Sequence, residues 1–356
     1  MKKLLAKLCL FIIPAFIYLG ASIYIDAYNV FHVDNIRLTY VTPNQNFIKT
    51  KYVLNNKDRF NAFVLGSSRA GNLPLDGLPK MGPEGQKLHW YNMTYAMGCP
   101  EENYQTVRTF LDNGVKIEEL VILVDEISMW RNAFEGTGDL IFATYQTYEE
   151  NPLKFYYAYI KQKPLLKLLP AVIENDLAEE GSEVLLKKSL FYEYGVGEAN
   201  TDMAIGSPTN MFEPERSLEY TEASTSVESV RRLKEFCDEN GIELLVITSP
   251  VLESTYRQGV DNGYLDFLTD LASVTDYYCF SGLNAYTREA MYYFDASHFR
   301  PYVGREMEKV LFGNDNERMN SVSEACSVAT VVPFGTIVTA DNVDEVIGGL
   351  VQELGK

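Results

Sequence analysis

Short apolar runs alternate with amphipathic stretches over residues 58–312. Residues 62–65, 120–124 and 242–248 are continuous or nearly continuous apolar runs, the pattern of strands buried on both faces. Residues 88–93 and 276–280 predict two further strands. Between them, residues 101–113 carry Tyr104, Val107, Phe110 and Leu111 at helical spacing and stop at Gly114. Residues 226–240, stopped by Gly241, and residues 264–273 also read as helices. Residues 301–311 read as another, with Pro301 in the first turn. Strands alternating with helices predict an α/β fold with a five-stranded parallel sheet, covered on both faces.

Three regions break the alternation. Residues 130–225 read as a mostly helical insertion between the third and fourth strands, expected to cap the site. Within it, residues 152–164 are aromatic and basic; these rings suit either the insertion's own core or stacking on sugars. Residues 313–356 form a C-terminal extension, strand-like over 328–338 and helical over 343–354, with no evident role. At the other end, residues 1–25 begin with Lys2, Lys3 and Lys7, followed by about 17 apolar residues, the lower end of a membrane span. Lysines before the apolar run predict a signal anchor with the body outside the cytoplasm. A cleaved signal peptide is the rival, but residues 19–21 make a poor cleavage site because Leu19 holds the position that wants a small residue. Residues 26–57 then read as a Tyr-rich juxtamembrane lead-in.

Composition narrows the partners. The formal net charge of -18 argues against nucleic acid, whose phosphates the body would repel. Of the 5 cysteines, Cys9 lies in the apolar run and the rest are scattered without metal-binding spacing, so no zinc site is expected. Cys237 and Cys279 fall in apolar patterns and read as packed thiols. No nucleotide or metalloprotease motif occurs, so no cofactor is expected.

The candidate chemistry lies at predicted strand ends. Gly66-Ser67-Ser68-Arg69 follows the first strand, Gly98 the second and Asp125 the third, and the segment with Asp295 and His298 comes after the fifth. In a parallel sheet these ends form one rim. A serine at a strand-to-helix turn, with a histidine and a nearby aspartate, suits acyl transfer. The hydroxyl attacks, the imidazole takes its proton, and the carboxylate holds the imidazole tautomer. Of the 3 histidines, His32 and His89 have no acidic neighbour at useful spacing and read as structural. Arg69 reads as an ion-pair partner or a substrate anchor, and Arg300 as either a site-lining or a surface residue.

The Gly-Ser-Ser block, the Gly98 loop and Asp295-Ala296-Ser297-His298, in this order, resemble the SGNH (GDSL-like) hydrolase superfamily. The variant looks like its membrane-anchored bacterial group with a Gly-Ser-Ser-Arg block behind an N-terminal span. The resemblance covers roughly residues 58–312. It implies a three-layer α/β/α, flavodoxin-like sandwich with Ser68 as nucleophile, His298 as base and Asp295 as its orienter. The backbone N–H groups of Ser68 and Gly98 would be oxyanion donors. Such proteins often accompany membrane-bound O-acyltransferases that modify envelope polysaccharide, which implies an acyl donor, a glycan acceptor and such an acyltransferase as partners.

One departure stands out. The family's third block supplies an Asn donor, whereas here the third strand ends in Asp125-Glu126-Ile127-Ser128. A carboxylate cannot donate, and a lost oxyanion donor costs about 2.7–4 kcal/mol. Asp125 can instead pair with Arg69, and Asn92 or Asn132 can supply the donor. Three functions remain open: an O-acetyltransferase or esterase on an envelope glycan, an esterase with a greasier acyl pocket, and a non-catalytic glycan-binding scaffold.

Overall fold

A computed structural model describes residues 2–132, 139–207, 217–221, 224–313 and 331–355, with residues 2–9 and 11 described by their backbone alone. In chain order the helices are α1 (Lys2–Ile25), α2 (Gln45–Asn55), α3 (Pro100–Asp112), α4 (Glu126–Trp130), α5 (Tyr145–Glu150), α6 (Pro152–Ile160) and α7 (Leu169–Asp176). They continue as α8 (Glu183–Tyr194), α9 (Ser226–Asn240), α10 (Glu253–Asp261), α11 (Tyr264–Ala272), α12 (Pro301–Phe312) and α13 (Val343–Glu353). The chain forms two compact units, Met1–Asn55 with Gly136–Tyr192, and Asn56–Glu135 with Glu193–Lys356.

The second unit is built on one sheet. Its strands are β1 (Ala62–Gly66), β2 (Trp90–Asn92), β3 (Glu119–Val124), β4 (Glu243–Thr248), β5 (Tyr277–Cys279) and β6 (Thr336–Val338), in the order β2-β1-β3-β4-β5-β6. The first five are parallel, and β6 adds antiparallel to β5. The predicted five-stranded parallel sheet is therefore six-stranded and mixed. The sixth strand comes from the C-terminal extension, which belongs to this unit. Val64, Val121 and Leu123 pack on one face with Val303 and Met307 of α12. On the other face Phe63 meets Phe110 of α3, ring centroids 5.1 Å apart. Cover on both faces explains the uninterrupted apolar runs of β1 and β3.

The first unit joins the N-terminal residues to 136–192, so residues 26–55 are part of a folded body rather than a lead-in. Its core is aromatic: Phe47 of α2 stacks on Tyr145 and lies 4.6 Å from the Phe155 ring, and Phe155 lies 5.0 Å from Tyr159. Phe155 and Tyr159 are buried. Two of the four rings in residues 152–164 are thus core, Tyr156 is half-buried and Tyr157 is exposed. α1 contains Pro14, and its last turn packs into this unit, where Ile25 joins Leu168 and Val172. Among the described residues no helix is long and apolar enough to cross a membrane. The predicted span therefore gains no support, and the end of α1 is occupied by protein contacts. His32 also departs from its reading: its Nδ1 lies 3.0 Å from Asp26 Oδ2. Cys237 and Cys279 are buried free thiols, as is Cys99, whereas Cys326 lies outside the described residues.

Candidate active site

The strand order reverses at β1 and β3, and the crevice at such a switch point is where open α/β sheets bind ligands. β1 ends at Gly66, whose φ is 137°. A Cβ there would stand 2.6 Å from the Leu123 carbonyl oxygen, so only glycine lets the chain turn this close to β3. Gly98 packs against the same point, and its Cβ would meet the Gly66 carbonyl oxygen at 2.3 Å. Ser67 then caps a 3-10 turn over Ser68–Asn72.

The two serines face different partners. Ser67 is fully buried, and its hydroxyl donates to Asp125 Oδ2 at 2.5 Å. Ser68 Oγ lies 2.8 Å from His298 Nε2, across the rim from the loop after β5. His298 Nδ1 lies 2.9 and 3.0 Å from the two oxygens of Asp295. An ionised carboxylate only accepts, so Nδ1 carries the proton and Nε2 is left to accept from Ser68.

Local sequence explains the histidine's pose. Asp295 Oδ1 accepts the backbone N–H groups of Ser297 and His298, each at 2.8 Å. The side chain thereby folds its own loop, as aspartate does in turns, and the three-residue spacing brings the ring back onto the same carboxylate. A bridge between Tyr293 and Phe299 closes the loop, and the Phe294 N–H donates to the His298 carbonyl at 2.9 Å. Thr255 of α10 anchors it by donating to the Ala296 carbonyl at 2.8 Å. Burial raises the Asp295 pKa, but the His298 contacts and the two backbone donors outweigh it and hold the carboxyl down at about 2.

The other predicted site residues separate into structural roles. Arg69 is fully buried and pairs with Asp125 at 3.1 Å and Glu126 at 2.5 Å, so it braces the Ser68 turn from inside the fold. Asp125 also caps α4, accepting the Ser128 N–H at 2.9 Å. Its carboxylate is thus directed at Ser67, Arg69 and Ser128. Burial pushes Glu126 up to about 7; Arg69 opposes the shift and Asp125 adds to it. Arg300 is buried, donates to the Ser207 carbonyl at 2.9 Å and lies 4.5 Å from the Phe294 ring centre, fastening residues 204–207 to the histidine loop.

The oxyanion donors divide in the same way. Ser68, at the first position of its turn, has its N–H unengaged among the described contacts. The Gly98 N–H donates to the Tyr95 carbonyl at 3.2 Å, so in this conformation it is committed to its own loop. The Asn92 amide donates to the Ala70 carbonyl at 3.2 Å and accepts the Thr94 N–H at 3.0 Å. It braces the turn from below. Asn132 accepts from Thr225 at 3.1 Å. The sequence held no signal for what holds the Gly98 loop. Arg131 donates to the Met97 carbonyl and pairs with Glu102 at 3.2 Å, and Glu102 also accepts the Tyr95 hydroxyl at 2.8 Å.

Comparison with protein-family models and with curated proteins returns no match.

Proposed function

We propose that this protein is a serine-dependent acyl-ester hydrolase or O-acetyltransferase that works on an extracytoplasmic glycan through an acyl-enzyme on Ser68. The observation that carries this reading is the unbroken line from Ser68 Oγ to His298 Nε2 at 2.8 Å and from His298 Nδ1 to Asp295 at 2.9 Å. The reading takes the sheet, with α3 and α12 on opposite faces, as the three-layer sandwich of SGNH hydrolases.

In the first half-reaction His298 Nε2 takes the Ser68 proton as Oγ bonds to the ester carbonyl carbon. The carbonyl oxygen becomes an oxyanion, with the Ser68 N–H as its donor. The imidazolium, stabilised by ionised Asp295, returns the proton to the leaving alkoxide as the ester C–O bond breaks. In the second half, water or a sugar hydroxyl gives its proton to His298 and attacks the acyl carbon, and the imidazolium passes that proton to Ser68 Oγ as the acyl C–O bond breaks. The residues serve hydrolysis and transfer equally, and the acceptor that reaches the acyl-enzyme decides between them.

Localisation follows the basic-then-apolar order at the N-terminus. Lys2, Lys3 and Lys7 precede the exposed apolar side chains Leu10, Ile12, Ile13, Phe16 and Ile17 on α1. The reading makes α1 a membrane anchor and puts the chain after it outside the cytoplasm. A partner acyltransferase as source of the acyl group rests on the family resemblance alone.

A second reading, a weak or inactive glycan-binding scaffold, is favoured by one observation. Of the predicted oxyanion donors, Gly98 and Asn92 are engaged elsewhere, and a carboxylate stands where the family carries Asn. Turnover of p-nitrophenyl esters of increasing chain length separates the readings. The enzyme reading expects ester hydrolysis that falls with chain length and disappears in Ser68→Ala with the fold intact. Equal, background-level hydrolysis by both proteins would leave the scaffold.

A further inference from the structure

We infer that residues 197–207 form a positioning strap that ties the turn carrying Ser68 to the loop carrying His298 and so sets the Oγ–Nε2 distance, with Asn200 and Arg300 as its two fastenings. The inference rests on the proposed Ser68 chemistry and deepens it, and the strap lies wholly within the second unit.

The sheet alone does not bring the two residues together. Ser68 follows β1 and His298 follows β5, and β3 and β4 stand between those strands. Three strand spacings set the two strand ends about 14 Å apart, yet Oγ and Nε2 lie at 2.8 Å. Below the rim, Ala70 and Leu73 share one apolar cluster with Tyr293 and Phe299. Apolar contact is non-directional, so it holds the turn and the loop close without fixing how they face each other. Misplacing reacting groups by 1 Å costs about a hundredfold in rate, so directional ties across the rim matter.

The strap supplies such ties at both ends. The chain approaches it through Gly195, φ 73°, where a Cβ would collide with the Asn92 carbonyl. The Asn200 amide then donates to Asn72 Oδ1 at 2.7 Å, at the end of the 3-10 turn that begins with Ser68. Gly71 leaves room for it: a Cβ there would stand 3.2 Å from Asn200 Nδ2. At the other end Arg300 donates to the Ala204 and Ser207 carbonyls at 3.4 and 2.9 Å, and the Gly206 N–H donates to the Met291 carbonyl at 3.1 Å. Asn72 and Arg300 are buried, which strengthens these bonds. Between its fastenings the strap is stiffened from within. Asn200 Oδ1 accepts the Gly197 N–H, and Asp202 Oδ1 accepts the Ala204 N–H, both at 2.9 Å. The stretch from Asn200 to Gly206 reaches about 20 Å when fully extended, and the turn at Asp202 takes up part of that length, so little slack is left. Residues 201–205 are exposed, so their length can be changed with the buried fastenings in place.

The test slackens the strap without removing a fastening. Two glycines inserted between Thr201 and Asp202 add about 7 Å of chain. Asn200→Ala cuts one fastening and Arg300→Lys weakens the other. Each full-length variant is followed by p-nitrophenyl acetate kinetics, urea unfolding and the nitrogen-15 spectrum of labelled histidine; the chain has 3 histidines, and His298→Ala assigns the signal of interest. The expected result is a kcat lowered about tenfold or more in the insertion and in each single variant, with KM within about twofold of wild type. The urea midpoint of the insertion should stay in place, because lengthening a surface loop costs little, while its His298 Nε2 signal shifts. Asn200 and Arg300 share no described contact, so independent effects would multiply. One shared strap instead leaves the double variant within about twofold of the slower single. Turnover and His298 signal unchanged by the insertion, multiplied losses in the double variant, or a raised KM at constant kcat would each overturn the strap. If wild type and Ser68→Ala turn over alike, the Ser68 reading fails, and the His298 signal still decides whether the strap sets the imidazole.

Discussion

The Ser67 hydroxyl donates to the Asp125 carboxylate at 2.5 Å, deep behind the turn that presents Ser68 to the imidazole. Ser67 has an extended backbone and caps the 3-10 turn that starts at Ser68, so the neighbouring serines point into different environments. Ser67 is a buried tether and Ser68 the accessible hydroxyl. Ser67→Ala should therefore lower the unfolding free energy by about 1–3 kcal/mol, since it strips a donor from a buried carboxylate. It should leave ester turnover within roughly tenfold of wild type, the span of about 1.4 kcal/mol in a barrier. Urea unfolding and p-nitrophenyl acetate kinetics on the same preparation check both; abolished turnover in Ser67→Ala with activity kept in Ser68→Ala would exchange their roles.

Asp125 is the hub of that tether. It joins Ser67, Arg69 and the cap of α4, all out of contact with water. Asp125→Ala should cost about 3–5 kcal/mol of stability, the usual penalty for removing one partner of a buried charge pair. A loss below about 1 kcal/mol in equilibrium unfolding would mean that the network contributes little to the turn.

Asp295→Asn keeps the shape of the side chain but reverses the tautomer that its acceptor enforces. Turnover should fall about 10⁴-fold with little change in folding, as for other triads that lose this carboxylate. The sign of the pH dependence follows from its lowered pKa. Folded Asp295 titrates at about 2, below its unfolded value of roughly 3.9. Its contribution to stability is therefore complete above pH ~4 and is lost as pH falls toward 2. Acid unfolding followed by circular dichroism should show that loss in wild type and not in the Asn variant.

Glu308 of α12 works in the opposite sense. Burial pushes its pKa up to about 8; Arg305 opposes the shift and Asp76 adds to it. One oxygen accepts from Arg305 at 2.8 Å and the other is buried without a partner. The folded state thus holds a proton that the unfolded state releases near pH 4.5, and stability is lost as pH rises through about 8. Glu308→Gln should flatten the fall in thermal stability between about pH 5 and pH 9. An unchanged slope would show that other groups cause it.

What the sequence revealed depended on how local each feature is. β1, β3 and β4 were readable because strands buried on both faces show as apolar runs, and α9 because Gly241 adopts a left-handed conformation, φ 66°, just past its end. The Asp295–His298 contact was readable because one short loop makes it. β6 falls within the strand-like residues 328–338, but its antiparallel place beside β5 was not readable: a three-residue edge strand with exposed Ile337 shows little burial pattern. The two-unit division was hidden because residues 26–55 find their core partners about a hundred positions away, as Phe47 does with Phe155. Asp26 and His32 meet because Asp26 and Asn29 adopt positive φ, 41° and 58°, a turn that spacing alone does not announce. Asp125 looked like a damaged oxyanion donor in the sequence. Its burial with Arg69 and Ser67 makes it a support for the turn instead.

The central claim is that Ser68 is an activated nucleophile. Intact-mass and peptide-mapping analysis after exposure to a fluorophosphonate tests it most directly. An activated Ser68 gives a single adduct on Ser68 in wild type, slower labelling in His298→Ala and none in Ser68→Ala. Equal labelling of wild type and Ser68→Ala, or an adduct mapped to another serine, would contradict it.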